Sequence, residues 1–154
     1  MTLFVPIPGR DELRLDHVIL DVNGTLTNRG VLLADVEERL DRLRDAIDVH
    51  LVSADTFGTL DAIAQRLQVG AARASTGADK VKTLDALGRD RCAVIGNGAN
   101  DVLALEAAAI GFAVLGPEGA SAAALRVADV VCACAADALD LLLDPQALAA
   151  TLRP

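Results

Sequence analysis

One residue near the start of the chain has the setting of a nucleophile. The apolar run His17-Val18-Ile19-Leu20 stops abruptly at Asp21, and the segment Asn23-Gly24-Thr25, one residue further on, is polar and turn-forming. A carboxylate at the tip of a buried strand, followed by a tight loop, can attack phosphorus and form an aspartyl phosphate. Backbone N–H groups of that loop can face the phosphate, and Gly24 permits close approach. The same carboxylate could equally cap a turn. Two lysines, Lys80 and Lys82, sit at a helix start in Asp79-Lys80-Val81-Lys82. By themselves they read as a solvated pair.

The elements around these residues alternate. Residues 1–16 suit a short β-hairpin or edge strand, with Pro6 and Pro8 on an edge and Gly9-Arg10-Asp11 in a turn. Leu33, Val36, Leu40, Leu43 and Ile47 fall in steps of three and four, which predicts a helix. A strand at Val49–Val52 ends in Ser53, and Asp55 or Thr56 can cap a helix reaching about Leu67. A short strand follows near Val69–Ala74, then a helix from about Asp79 to Leu87, closed by Gly88. Strand Cys92–Ile95, helix Asp101–Ala109, strand Phe112–Leu115, helix Ser121–Arg126 and strand Val130–Cys132 continue the pattern. The tail, Ala136 to Leu152, reads as helix broken at Pro145.

Such alternation predicts an α/β fold with a doubly wound, mainly parallel sheet in one domain spanning residues 1–154. Ligands of these sheets bind beyond the carboxyl ends of the strands. That rule selects Asp21, Ser53 and the segment beginning at Gly96.

Four segments, in order, then resemble the motifs of the haloacid dehalogenase (HAD) superfamily. Asp21-Val22-Asn23-Gly24-Thr25-Leu26-Thr27 is similar to the first motif, and Leu51-Val52-Ser53 to the second. Lys80 lies where the third motif supplies a lysine, with Lys82 the alternative. Gly96-Asn97-Gly98-Ala99-Asn100-Asp101 is similar to the fourth. The subgroup most resembled is the soluble relatives of the P-type ATPase phosphorylation domain, whose Thr-Gly-Asp motif Ser53-Ala54-Asp55 resembles.

The resemblance implies a Rossmann-like core and a Mg²⁺-dependent phosphoryl-transfer hydrolase. It implies Asp21 as nucleophile and metal ligand, with the Asn23 carbonyl, Asp101 and the fourth-motif Asn97 around the metal. Ser53, Thr25 and Gly24 would hold the phosphate, Lys80 would neutralise charge, and Asn100 would stand behind them. Mg²⁺ prefers oxygen ligands and keeps several waters, so few carboxylates suffice.

Two departures stand out. Asn23 occupies the place of the usual acid/base Asp, and Asn97 that of a common Asp. Asn cannot exchange a proton, so slow turnover is expected. A weakened, regulatory or binding module that uses phospho-Asp21 as a signal is the alternative. The intervals Asp21–Ser53 and Ser53–Lys80 are too short for a cap domain, which implies an open site. An open site suits a phosphorylated macromolecule, or a phosphorylated small molecule if the protein is a homo-oligomer.

Composition narrows the field. A net charge of −8 without a basic run argues against nucleic acid. No stretch reads as a signal peptide or membrane span. Three cysteines, an odd count, suit a reducing, cytoplasmic compartment. Cys132-x-Cys134 reads as small packed residues, and His17 and His50, at strand starts, as structural or solvated.

Overall fold

In the centre of the fold is a strand that must be apolar on both faces, and the computed structural model, which describes residues 1–154, places Val18, Ile19 and Leu20 there, all buried. A hairpin of β1 (Leu3–Val5) and β2 (Leu13–Leu15) opens the chain and leads into this strand, β3 (His17–Asp21). A small hairpin follows, β4 (Thr27–Asn28) and β5 (Val31–Leu32), and then α1 (Glu37–Arg44), β6 (Asp48–Ser53), α2 (Leu60–Leu67) and β7 (Gly70–Arg73). The second half runs α3 (Gly77–Leu87), β8 (Cys92–Gly96), α4 (Val102–Ala107), β9 (Ile110–Val114), α5 (Ala122–Val127), β10 (Val130–Cys132), α6 (Ala135–Leu143) and α7 (Pro145–Leu152).

Six strands form one sheet in the order β10-β9-β8-β3-β6-β7, and every neighbouring pair is parallel. From β3 the chain winds outward through β6 and β7, then returns beside β3 with β8 and winds the other way. The switch in direction falls between β3 and β8, and such sheets bind ligands beyond the carboxyl ends of the strands at that point.

The two faces are unequally filled. On one, Leu40, Leu43, Leu60, Leu67, Leu139 and Leu142 of α1, α2 and α6 pack against Val18, Leu20, Leu51 and Phe112 in a core of 30 buried residues. The other face holds 9, with Leu84, Ala104, Leu105 and Ala124 of α3–α5 against Ile19, Val52 and Val94. Small residues bring that second helical layer close to the sheet.

The doubly wound sheet and the N-terminal hairpin agree with the sequence reading, and no cap domain is present. Three local expectations change. The β4–β5 hairpin was not anticipated; Arg29 (φ +49°) and Gly30 (φ +86°) make its turn. Helix α2 begins only at Leu60, because Asp55 adopts a left-handed backbone (φ +58°) and reaches forward to accept from the Leu60 N–H. The helix expected from Asp101 is preceded by a 3₁₀ turn, Ala99–Asp101. At Pro145 the tail breaks as expected: Pro145 opens α7 and the Asp144 side chain accepts from Ala147 N–H. No helix is long and apolar enough to cross a membrane. The cysteines are all free, and burial pushes the Cys92 and Cys132 thiols up to about 11.

Candidate active site

Asp21 closes β3 and Asp101 follows β8, so the switch in strand order sets two carboxylates side by side. Between them lies Lys80, 2% exposed, the fourth residue of α3. Its ammonium donates to Asp21 Oδ1 at 2.7 Å and to Asp101 Oδ1 at 2.5 Å. A lysine so near a helix N-terminus opposes the helix dipole, and the two carboxylates compensate. Thr76 and Asp79 fix that end of α3 through a reciprocal capping box. Lys82, by contrast, is exposed and reaches only Asp79. Of the two lysines, only Lys80 is buried against the carboxylates.

Asp101 is held from behind. Its Oδ2 accepts from the N–H groups of Asn97, at 3.1 Å, and Gly98, at 2.9 Å. Gly96 is required here: a Cβ would lie 2.5 Å from the Asp101 carboxyl carbon. Asp21 Oδ2 accepts from Thr25 Oγ1 at 3.1 Å, and the same hydroxyl lies 3.2 Å from Asn97 Oδ1. One hydroxyl proton can serve only one of these acceptors at a time.

The sequence reading grouped Asn97 with the metal-holding residues; in the fold its side chain lies between the loop after Asp21 and the turn after β9. The Asn97 side chain is committed at both ends, facing Thr25 through its oxygen and donating to Gly119 C=O at 2.9 Å through its nitrogen. It braces the loop after Asp21 against the Gly116–Gly119 turn. Gly24, with φ +76°, passes so close that a Cβ would lie 2.7 Å from Asn97 Nδ2. The Gly116–Gly119 turn thus packs beside the loop after Asp21, a place the sequence reading gave it no claim to. It follows β9, so the strand-end rule already pointed there.

The remaining candidates are less tightly joined. Ser53 ends β6, neighbour to β3, and is buried; its hydroxyl accepts from Asp55 N–H at 2.9 Å. Asn23 is half-buried and its side chain makes no hydrogen bond. Asn100 is exposed and lies outside the Lys80 network.

The electrostatics follow from burial. Burial, and then the charge of Asp101, push the Asp21 carboxyl from 3.8 up to about 6, although Lys80 and Thr25 pull it down. Burial works against the Lys80 ammonium, but the two carboxylates outweigh it and raise its pKa. The donors are all oxygens, and two carboxylates crowd one cation. That set suits a hard divalent cation, which would relieve the repulsion expressed in the raised Asp21 pKa.

A pH dependence follows. Between pH 3.8 and about 6 the folded protein keeps a proton on Asp21 that the unfolded chain has released. Stability attributable to Asp21 is therefore full below that window and is lost as pH rises through it, by up to about 3 kcal/mol. Thermal unfolding from pH 4 to 7 without divalent cation should show this loss, and Asp21→Asn should remove it. Equal slopes in the two proteins would show that Asp21 titrates normally.

Comparison with known proteins bears on the fold. No family model matches the chain. An uncharacterized protein of Methanocaldococcus jannaschii is 41% identical over 78 residues, which cover 48% of this chain and 84% of that protein. Among solved structures, the cobalt-bound deoxy-D-mannose-octulosonate 8-phosphate phosphatase of Haemophilus influenzae superposes with a TM-score of 0.71 at 19% identity, covering 86% of this chain and 89% of that one. The Moraxella catarrhalis 3-deoxy-D-manno-octulosonate 8-phosphate phosphatase, in complex with magnesium, phosphate and KDO, gives 0.71 at 19% identity, covering 86% and 87%. A haloacid dehalogenase-like hydrolase of Streptococcus pneumoniae gives 0.65 at 12% identity, covering 82% and 97%. The chain therefore has the fold of the haloacid dehalogenase superfamily hydrolases, and it belongs to one family with the Methanocaldococcus protein.

Proposed function

We propose that this protein is a Mg²⁺-dependent phosphomonoester hydrolase that works through an aspartyl phosphate on Asp21. The observation that carries the reading is the buried ammonium of Lys80 shared between Asp21 and Asp101 at the strand switch. A buried ion triad at a ligand-binding crevice is costly to build for stability alone.

Asp21, the Asn23 carbonyl and Asp101 are the groups that would hold Mg²⁺. When bound, the ion would offset the repulsion between Asp21 and a phosphate dianion. Asp21 then attacks phosphorus in line, the bond from phosphorus to the ester oxygen breaks, and the leaving oxygen takes a proton from water. Lys80 neutralises charge on the nucleophile and the transferring group. Ser53 and the backbone after Asp21 bind phosphate oxygens, with Thr25 braced by Asn97. Water attacks the aspartyl phosphate in the second step, releasing phosphate and restoring Asp21.

Asn23 can orient the water but cannot accept its proton. The second step is therefore slow, as in the pump domains that this chain resembles. Asn23→Asp should speed dephosphorylation about tenfold to a thousandfold. Its free side chain means that the change breaks no existing hydrogen bond. A second carboxylate adds local negative charge, but bound Mg²⁺ and the neutral Asn97 offset it. Rapid-quench decay of the phosphoenzyme would measure the gain; an unchanged rate at saturating Mg²⁺ would put the bottleneck elsewhere.

The substrate class follows from the absence of a cap and from the neighbours. The Moraxella structure holds phosphate and KDO in the same fold, which favours a phosphorylated small molecule here. With no cap, such a substrate would be enclosed by a second copy of the chain. The free cysteines favour a cytoplasmic setting. The test is hydrolysis of an aryl phosphate and a panel of sugar and sugar-acid phosphates, with Mg²⁺ and with chelator. Mg²⁺-dependent release of phosphate supports the reading. A phosphoenzyme that forms but never turns over would favour the regulatory module instead.

A further inference from the structure

A second cluster of ligand-type side chains lies at the opposite end of the sheet. His17 opens β3 and pairs in register with Asp48, the first residue of β6; His50 stands two residues further along β6. Alternation along a strand places Asp48 and His50 on one face, and the register adds His17 to it. His17 Nδ1 lies 3.2 Å from His50 Nε2 and 3.6 Å from Asp48 Oδ2, and one ligand atom from each residue falls within 4.8 Å of the others. The imidazole planes are inclined at 59° with centroids 5.2 Å apart, so the rings meet at their nitrogen edges rather than stacking.

We propose that His17, Asp48 and His50 form a binding site for a zinc-class divalent ion that ties the start of β3 to the start of β6. Two ligands at about 2.0–2.1 Å from a tetrahedral zinc ion stand about 3.3 Å apart, close to the two spacings from His17 Nδ1, and the third spacing falls within 4.8 Å. Two imidazoles and one carboxylate select a borderline ion over Mg²⁺, which prefers oxygen. The Asp48 carboxylate has no hydrogen bond of its own, and its one close side-chain partner is the His17 imidazole. Neighbouring arginines do not compete: Arg91 is committed to Asp16 and Arg44 to Asp41. Gly70, paired with His50 on β7, has no side chain to cover the ring. Asp48 is exposed, so solvent can fill the fourth position. Four residue steps of strand, about 13 Å, separate His17 from Asp21, which makes the site independent of the phosphoryl-transfer site.

Cobalt(II) is the probe. Titrated into the protein in excess Mg²⁺, it should give the visible ligand-field band of a tetrahedral ion at one equivalent, and zinc should displace it. Asp21→Asn should keep the band, whereas His17→Gln and His50→Gln should abolish it. Asp48→Asn, at an exposed position that the fold does not need, should weaken zinc binding about tenfold or more. Zinc should raise the melting temperature of the parent protein but not of His50→Gln. Mg²⁺-dependent phosphatase activity should survive in all three His and Asp48 variants. A band that persists without the histidines, or binding only at millimolar zinc, would overturn the proposal and leave a simple hydrogen bond between two imidazoles.

Discussion

Asp21→Asn should abolish phosphate release and phosphoenzyme formation, lowering turnover by about 10⁴ or more, while leaving the metal-free protein at pH 7 as stable as the parent or more so. The two halves of this result have one origin. An amide cannot form the acyl phosphate, so the covalent path closes. Its oxygen still accepts from the Lys80 ammonium at the position where Asp21 Oδ1 now does, and Lys80 keeps Asp101 as a counter-ion. What disappears is the cost of ionising a buried carboxyl beside another, the cost that pushes Asp21 up to about 6. Chemical denaturation and steady-state assays on the same preparations would check the pairing. An Asn variant that loses activity only in proportion to lost folded protein would contradict it.

Lys80→Met should act in the opposite sense on stability. Without the ammonium, two buried carboxylates face each other across a crevice. Removing one partner of a buried ionic cluster typically costs about 3–5 kcal/mol. Part of that cost will be avoided by proton uptake, since one of two adjacent carboxyls can stay neutral. The loss should therefore steepen as pH rises toward 8, and saturating Mg²⁺ should restore much of it. Turnover should remain down by about 10²–10³ even with Mg²⁺, because charge on the transferring phosphoryl group goes unmatched. Denaturant midpoints with and without Mg²⁺, at two pH values, would measure this. A Met variant as stable as the parent without metal would mean that the carboxylates do not repel each other.

The main strands of the sheet were legible because each is a short apolar run with a sharp polar end. Asp21 was legible for the same reason: Val18-Ile19-Leu20 could only be buried, and a carboxylate at its tip had to be explained. The β4–β5 hairpin was not, since strands of two residues carry no periodicity. The choice of Lys80 over Lys82 was open from charge alone. Helix phase decides it, because Lys80 shares a stripe with Leu84 and Leu87, at steps of four and three, and Lys82 does not. The neighbours of Asn97 were not legible, because its place in a motif says nothing of what its amide touches; only the fold brings Thr25 and Gly119 to it. The pairing of His17 with Asp48 was invisible for a deeper reason. Which residues of two parallel strands stand opposite depends on the crossover between them, and strand composition does not encode it.

The order in which the strands join the sheet bears on synthesis. Strand β3 lies inside the finished sheet with a partner on each side, yet its two neighbours are made at different times. β6 follows after one helix, whereas β8 begins only at Cys92. A chain emerging from the ribosome can assemble β3, β6 and β7 while one edge of β3 stays unpaired, with Val18, Ile19 and Leu20 along it. Such an apolar edge is a template for pairing with another nascent chain. In that interval Asp21, at the tip of the strand, has neither Lys80 beside it nor Asp101 opposite. It is then an ordinary solvated carboxylate, whose charge helps keep the open edges of neighbouring nascent chains apart.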